Sequence, residues 1–169
     1  MAILDQMLNF TMELQQRNFW CWAATGKSVS HFYSSESTWT QCKIAKKELQ
    51  LTTCCSNPSS CDRGWFLDKT LIRTGNFKSQ QRGNISWNEV KNEITANRIV
   101  CAFIEWAEGG GHFVAIYGVA QTSRTKKVYI GDPINGPSLL RFEQFRDNYL
   151  NLGSWTHTYF TKNIDSPTN

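Results

Sequence analysis

Six cysteines and three histidines are the groups in this sequence able to do nucleophilic chemistry near neutral pH. The thiolate is the reactive form, and a cysteine at a helix N-terminus ionises more readily because unpaired N–H groups and the helix dipole favour negative charge. Cys21 has that position: it stands directly before Trp22-Ala23-Ala24 and follows polar residues that do not continue the helical pattern. The competing reading is a buried structural thiol at a helix start. Cys101 lies inside the apolar run Ile99 to Ile104, where a thiol behaves as a small inert hydrophobe. Cys42, Cys54, Cys55 and Cys61 form a separate cluster. It lacks the closely paired Cys-x-x-Cys knuckles of a structural zinc site, so no metal is expected there. Buried thiols, or one or two disulfides pinning the loop from Thr52 to Asp62, are expected instead.

A reactive cysteine needs a base within hydrogen-bond reach. His31 follows Cys21 on the same helix, about 15 Å along the axis and roughly 80° around it, which is out of reach. His157 alternates with Trp155 and Tyr159 in a strand pattern, as a packed or surface histidine would. His112 follows Gly109-Gly110-Gly111 and begins an apolar strand, a place where the backbone stays thin so that something can approach. It is the candidate base, against the plainer reading of a turn histidine. His112 begins one strand and Asp132 ends the next. In an antiparallel hairpin those positions share an end, so Asp132 is the candidate to orient the imidazole. Asp132-Pro133 is equally a common turn start, and the sequence leaves the ladder register open.

These residues must be held by regular elements. Apolar spacing at Ala24, Val29 and Phe32 predicts a helix over Cys21 to Tyr33. Further helices are expected over Gln41 to Leu51 and over Arg63 to Thr74, the latter stopped by Gly75. Ser86-Trp87-Asn88-Glu89 reads as a capping box opening a fourth helix to about Asn97. After it the composition changes. Ile99 to Ile104, His112 to Gln121, Lys127 to Gly131 and Ser154 to Thr161 read as strands. Helices first and strands later make an α+β chain. One catalytic domain over 1–169 is expected, with a helical lobe over about 1–98, a β lobe over about 99–165, and a site in the cleft between them.

Composition bounds the alternatives. Of 169 residues, 40% are hydrophobic and 19% charged, enough apolar material to bury a core rather than stay disordered. The longest apolar run, Phe113 to Ala120, is well short of the roughly 18 residues that span a bilayer, so no membrane partner is expected. The net charge is +4, but only Lys46-Lys47 and Lys126-Lys127 are adjacent, so no nucleic-acid surface is expected. Met1-Ala2-Ile3-Leu4-Asp5 has no positive n-region and carries an early acid, unlike a signal peptide. Without an export signal, six cysteines leave the redox compartment open. The aromatics are expected in the core and cleft walls, and Lys43, Lys46, Lys47 and Glu48 on a solvated helix face.

Gln15-Gln16-Arg17-Asn18-Phe19-Trp20-Cys21-Trp22-Ala23-Ala24 resembles the active-site helix of papain-like cysteine proteases, whose pattern sets a glutamine six residues before Cys-Trp-Ala. His112 to Val119 resembles their histidine strand, and Val128-Tyr129-Ile130-Gly131-Asp132-Pro133 the strand that delivers their third residue. The spelling Trp-Cys-Trp-Ala-Ala, Asp as third residue and the Cys54-Cys55 pair are most similar to the AvrRpt2-type branch of secreted bacterial effectors. The resemblance implies a papain-like fold and no cofactor. It implies Cys21 as nucleophile paired with protonated His112, Asp132 fixing the imidazole tautomer, and Gln15 donating its amide, with the Cys21 N–H, to the oxyanion. Gln16 competes for that last place, and the six-residue spacing favours Gln15. Two departures stand out: no tryptophan follows Asp132 to shield the His–Asp pair, and only 20 residues precede Cys21, too few for the usual inhibitory propeptide.

The leading expectation is therefore a cysteine endopeptidase hydrolysing peptide bonds through Cys21, His112 and Asp132. The same triad serves acyl transfer to amines or deamidation, and a non-catalytic binding module is a third reading. A protease with no signal peptide and no propeptide would endanger its own cell. The expected setting is a bacterial effector or toxin domain, delivered by a specialised secretion system into a target-cell cytoplasm. Its partners would be a protein substrate and, in the producer, a cognate immunity protein over the cleft.

Overall fold

The computed structural model describes residues 2–165. In chain order the elements are β1 (Ala2–Met7), α1 (Cys21–Tyr33), α2 (Gln41–Leu49), a short 3-10 turn (Pro58–Cys61), α3 (Leu67–Thr74), β2 (Phe77–Arg82), α4 (Trp87–Thr95), β3 (Val100–Trp106), β4 (Gly111–Thr122), β5 (Lys126–Asp132), β6 (Gly136–Arg141), α5 (Phe142–Asp147) and β7 (Gly153–Thr161).

Helix α1 has the expected bounds and is the central helix, with Trp22 to Gly26 and Ser28 to Ser30 buried. Small side chains on it let neighbours approach: a Cβ at Gly26 would sit 2.2 Å from Thr70 Cγ2 on α3. Helix α2 is capped by Thr40, whose hydroxyl accepts from Lys43 N–H, and ends at Gln50 in the left-handed region, slightly before the expected Leu51. Helix α3 stops at Gly75 (φ 82°), where only glycine is free of strain. Helix α4 opens with the Ser86–Glu89 capping box, both halves formed.

The sheet is antiparallel with strand order β2-β7-β3-β4-β5-β6. β4 is its long central member: β3 pairs with Gly111–Ile116 and β1 with Gly118–Thr122. Helices α1 and α4 pack on β4, and α5 packs against β5, β6 and β7. Buried Ile99, Val100, Ile104, Val114, Ile116, Val128 and Ile130 form the shared core with Trp22, Val29, Ile44 and Leu71.

Several expectations need correcting. Residues 2–7 and 77–82, inside the stretch read as helical, add two strands to the sheet. β2 is an edge strand exposed at every residue but Phe77, so it carries no alternating apolar signal. β6 and α5 were not anticipated either. Helix α3 begins at Leu67 rather than Arg63, because the Arg63 carbonyl accepts from Trp22 Nε1 (3.0 Å) instead of entering a helix. Glu48 is not on a solvated face. It is buried and accepts from Trp65 Nε1 (2.9 Å) and Arg73 Nε (2.7 Å), bracing the segment after the 3-10 turn.

Candidate active site

The first turn of α1 has three N–H groups with no intrahelical acceptor, those of Cys21, Trp22 and Ala23, since Ala24 N–H is the first to bond back, to Trp20 O. Trp20 and Trp22 flank Cys21, are fully buried and fix its direction. Trp20 Nε1 donates to Cys61 O (2.8 Å), Trp22 Nε1 to Arg63 O, and Phe19 N–H to Asp62 Oδ1 (2.9 Å). All three acceptors belong to one loop, and that loop is held by the disulfides Cys42–Cys55 and Cys54–Cys61. The cysteine cluster is thus two disulfides, in the structural role expected of it. The free cysteines are Cys21, partly exposed, and Cys101, buried.

His112 and Asp132 come from the β4–β5 hairpin. Gly131 pairs with Ala115, so Asp132 falls opposite Val114 and His112 is its diagonal neighbour on the same face. His112 Nε2 donates to Asp132 Oδ1 at 2.8 Å, with both side chains buried. The same carboxylate also forms the turn that Asp-Pro suggested: Oδ1 accepts from Ile134 N–H (2.7 Å) and Asn135 N–H (3.0 Å). Oδ2 accepts from Asn135 Nδ2 (3.0 Å) and Tyr149 OH (2.6 Å). With Nε2 committed to Asp132, Nδ1 is the ring nitrogen left free, and His112 lines the same cleft as Cys21.

The electrostatics follow from these contacts. Burial opposes charge on His112, but the hydrogen bond and negative charge of Asp132, with Cys21 beside the ring, outweigh it and raise the imidazole to about 9. Burial likewise opposes ionised Asp132, yet His112, Tyr149 and Asn135 together hold its carboxyl well below the usual range. Burial pushes the Cys101 thiol up, which leaves it inert.

Cys21 and His112 open on a cleft of about 600 Å³ walled by Gly64-Trp65-Phe66 on one side and Trp106 and Gly109–Gly111 on the other. Gly109 (φ 98°) and Gly110 (φ 76°) turn the chain, and a Cβ on Gly111 would collide with the Phe103 ring at 2.1 Å. The glycine run is thin for that reason. Past Phe103 and Phe113 the cleft continues into a second cavity of about 670 Å³, floored by His157 and Tyr159. His157 therefore lines a wall, its Nδ1 paired with Thr156 Oγ1 (3.0 Å), while His31, whose Nε2 meets Trp39 O (3.1 Å), lines neither cavity.

Gln15 is not brought into this cleft as a free donor. Its Nε2 donates to Arg17 O (2.8 Å) and Asn18 O (2.7 Å), and its Oε1 is buried without a partner. A tryptophan does lie on His112, though it arrives from β3 and not after Asp132. Trp106 stacks on the imidazole with centroids 5.9 Å apart and planes 17° apart. Trp106, Asn135 and Tyr149 were missed in the sequence. The first ends an apolar strand next to the glycine run, which was a usable signal; the other two gave none. Among the described residues, no group of three or more His, Cys, Asp or Glu could hold a metal ion, and no helix is long and apolar enough to cross a membrane.

Because Cys61, which closes the Cys54–Cys61 loop, carries the acceptor for Trp20 and leads directly into Arg63, which carries the acceptor for Trp22, this bond bears on the site as well as on stability. Cys54→Ser with Cys61→Ser is expected to lower stability by about 2.5 kcal/mol from loop-closure entropy, measured as a urea midpoint. It should also slow alkylation of Cys21 more than the Cys42→Ser, Cys55→Ser pair does. Equal effects on Cys21 from the two pairs would sever the loop from the site.

The sequence profile of the family described as papain-like cysteine protease AvrRpt2 matches residues 4–150. No curated protein matches the chain at a significant level. Among solved structures, the fold is similar to a mite allergen from work on antibody cross-reactivity between Blo t 1 and Der p 1. That match has a TM-score of 0.59 and 13% identity, and covers 94% of this chain and 70% of that one. A double glycine motif protease from an AMS/PCAT transporter, solved with its leader peptide, overlaps at a TM-score of 0.47 and 16% identity, covering 94% of this chain and 98% of that one.

Proposed function

The chain belongs to the AvrRpt2 family of papain-like cysteine proteases, and on that premise we propose that Cys21, His112 and Asp132 are its catalytic triad. The observation that carries the proposal is one cleft lined by both Cys21 and His112, with Asp132 bonded to His112 Nε2 and Nδ1 left free for the thiol. Cys21 Sγ attacks the scissile carbonyl carbon, having given its proton to His112. The developing oxyanion takes the Cys21 main-chain N–H, unpaired at the helix start. Gln15 adds its side-chain amide once Nε2 lets go of the Asn18 carbonyl. Imidazolium His112 then protonates the leaving amine, and the neutral ring activates the water that releases the acyl group. Asp132 holds the tautomer throughout.

The substrate is a protein. We propose that it crosses the cleft extended, with an apolar side chain upstream of the scissile bond lodged against Phe103, Phe113 and Tyr159. The proposal includes the setting: a bacterial effector or toxin domain, delivered by a specialised secretion system, acting on proteins inside a target cell and restrained in its producer by an immunity protein. Two disulfides require an oxidising stage on that route, because cytosolic thiol pools keep cysteines reduced.

Amino-terminal labelling of proteins from cells exposed to the wild type and to Cys21→Ala is the test. New amino termini that depend on Cys21 are expected. Targets that instead gain 1 Da or become cross-linked would make the enzyme a deamidase or transglutaminase. A cellular effect that survives in Cys21→Ala would leave only a binding role.

A further inference from the structure

We propose that Tyr149 is a positioning residue for the peptidase reaction, its hydroxyl fixing Asp132 in the rotamer that orients His112 and sharing the negative charge that would otherwise fall on the imidazole. This deepens the triad reading and rests on it.

The geometry is specific to the carboxylate oxygen that His112 does not use. Tyr149 OH donates to Asp132 Oδ2 at 2.6 Å, while His112 holds Oδ1 at 2.8 Å. Asn135 Nδ2 also donates to Oδ2 (3.0 Å), but it belongs to the same turn whose N–H groups hold Oδ1. Tyr149 is the shorter bond and ties the carboxylate, and the His112 ring with it, to a separate element. The ring of Tyr149 is itself locked. It is 1% exposed, meets Phe145 edge-on (5.5 Å, 80°) and lies parallel to Trp106 (6.4 Å, 14°), and Trp106 in turn stacks on His112. One indole therefore registers the phenol and the imidazole against each other.

The backbone goes out of its way to bring the phenol there. Tyr149 starts a tight turn in which Leu152 N–H and Gly153 N–H both return to its carbonyl (3.0 and 3.2 Å). The two residues between, Leu150 (φ 53°) and Asn151 (φ 60°), are left-handed, a conformation an ordinary leucine avoids and one that persists only where the surroundings over-determine it. Gly153 closes the turn, and a Cβ there would meet Glu105 O at 2.4 Å and the Trp106 ring at 2.7 Å. Burial and the Asp132 charge keep the phenol protonated well above its ordinary range, so the donor does not titrate away where the enzyme works. A buried phenol that merely needed an acceptor would be satisfied by any carbonyl. This one is spent on the triad acid.

Tyr149→Phe removes the donor and keeps the ring. With one donor fewer, Asp132 pulls harder on the His112 proton. The readout is the pH dependence of Cys21 alkylation by iodoacetamide, which needs no knowledge of the substrate. Its upper inflection, where His112 gives up its proton, is expected to move to higher pH in Tyr149→Phe, and peptidase turnover to fall about tenfold, as for one hydrogen bond to a charged group. Fluorotyrosine at position 149, a stronger donor of nearly the same shape, should move the inflection the other way. It also covers the case in which the phenylalanine variant folds poorly. In an Asp132→Asn background, Tyr149→Phe should shift nothing further. Superimposed profiles for wild type, Tyr149→Phe and the fluorotyrosine protein overturn the proposal. A profile unmoved by Asp132→Asn itself would instead overturn the triad reading on which it rests.

Discussion

Cys21→Ala is expected to reduce proteolysis by about 10⁶-fold, to background, as loss of the nucleophile does in triad hydrolases. No other sulfur can substitute. Cys101 is fully buried in β3 with its thiol pushed up by burial, and the remaining four cysteines are joined in pairs. The fold should hardly notice the change. Alanine is the best helix former, and the start of α1 is fixed from either side by the buried indoles of Trp20 and Trp22 rather than by residue 21. Stability should stay within about 1 kcal/mol of the wild type. Intact-mass analysis after iodoacetamide at neutral pH should find one rapid adduct on the native wild type and none on the variant. Turnover that persists in Cys21→Ala, on a fold with an unchanged melting curve, would remove the sulfur from the reaction.

How much of this was readable beforehand depended on whether a residue advertises itself locally. Cys21 did: its helix begins at the residue where the apolar period begins, and α1 has the expected bounds. His112 and Asp132 did so as hairpin ends, although the ladder register that makes them diagonal neighbours is set by pairing, not by either strand's own composition. The turn-former and the imidazole-orienting readings of Asp132 looked like rivals, but the geometry does not force a choice: one oxygen is hydrogen-bonded to His112 and to two turn amides together. Position alone was readable for Gln15. Its six-residue spacing is met, but where its amide points is decided by the Arg17 and Asn18 carbonyls, which no spacing rule encodes. Tyr149 was invisible, because a turn built on left-handed leucine and asparagine has no glycine to announce it. β2 was invisible for the opposite reason: a polar edge strand looks like a loop until β7 pairs with it.

The second large effect concerns Asp132. Asp132→Ala is expected to lower peptidase activity by about 10²–10⁴-fold, the range over which acid–base positioning acts, and to move the alkaline limb of activity downward. In the wild type the imidazole keeps its proton to about 9. Without the carboxylate, burial becomes the dominant influence on His112, and burial disfavours the charged ring. The limb should fall by about two pH units or more, toward or below the ordinary imidazole value of about 6.5. Stability must fall as well. The variant strands the Tyr149 hydroxyl, the Asn135 amide and two turn N–H groups, and breaking a buried pair of this kind costs roughly 3–5 kcal/mol. The sign of its pH dependence follows from both partners. The Asp132 carboxyl is depressed, so its contribution is present above the ordinary carboxylate range and fades as pH falls through the folded value. The His112 imidazole is raised, so the same contribution is complete below about 6.5 and is lost as pH rises through about 9. These are two edges of one interaction. The difference in unfolding free energy between wild type and Asp132→Ala should therefore be largest from weakly acidic to neutral pH and shrink toward both extremes. Asp132→Asn keeps the volume and an acceptor for the turn amides while removing the charge, so it should recover much of the stability but little of the rate. If Asp132→Asn retained both the wild-type rate and the alkaline limb near pH 9, the carboxylate would be a turn former alone and His112 would owe its proton to some other group.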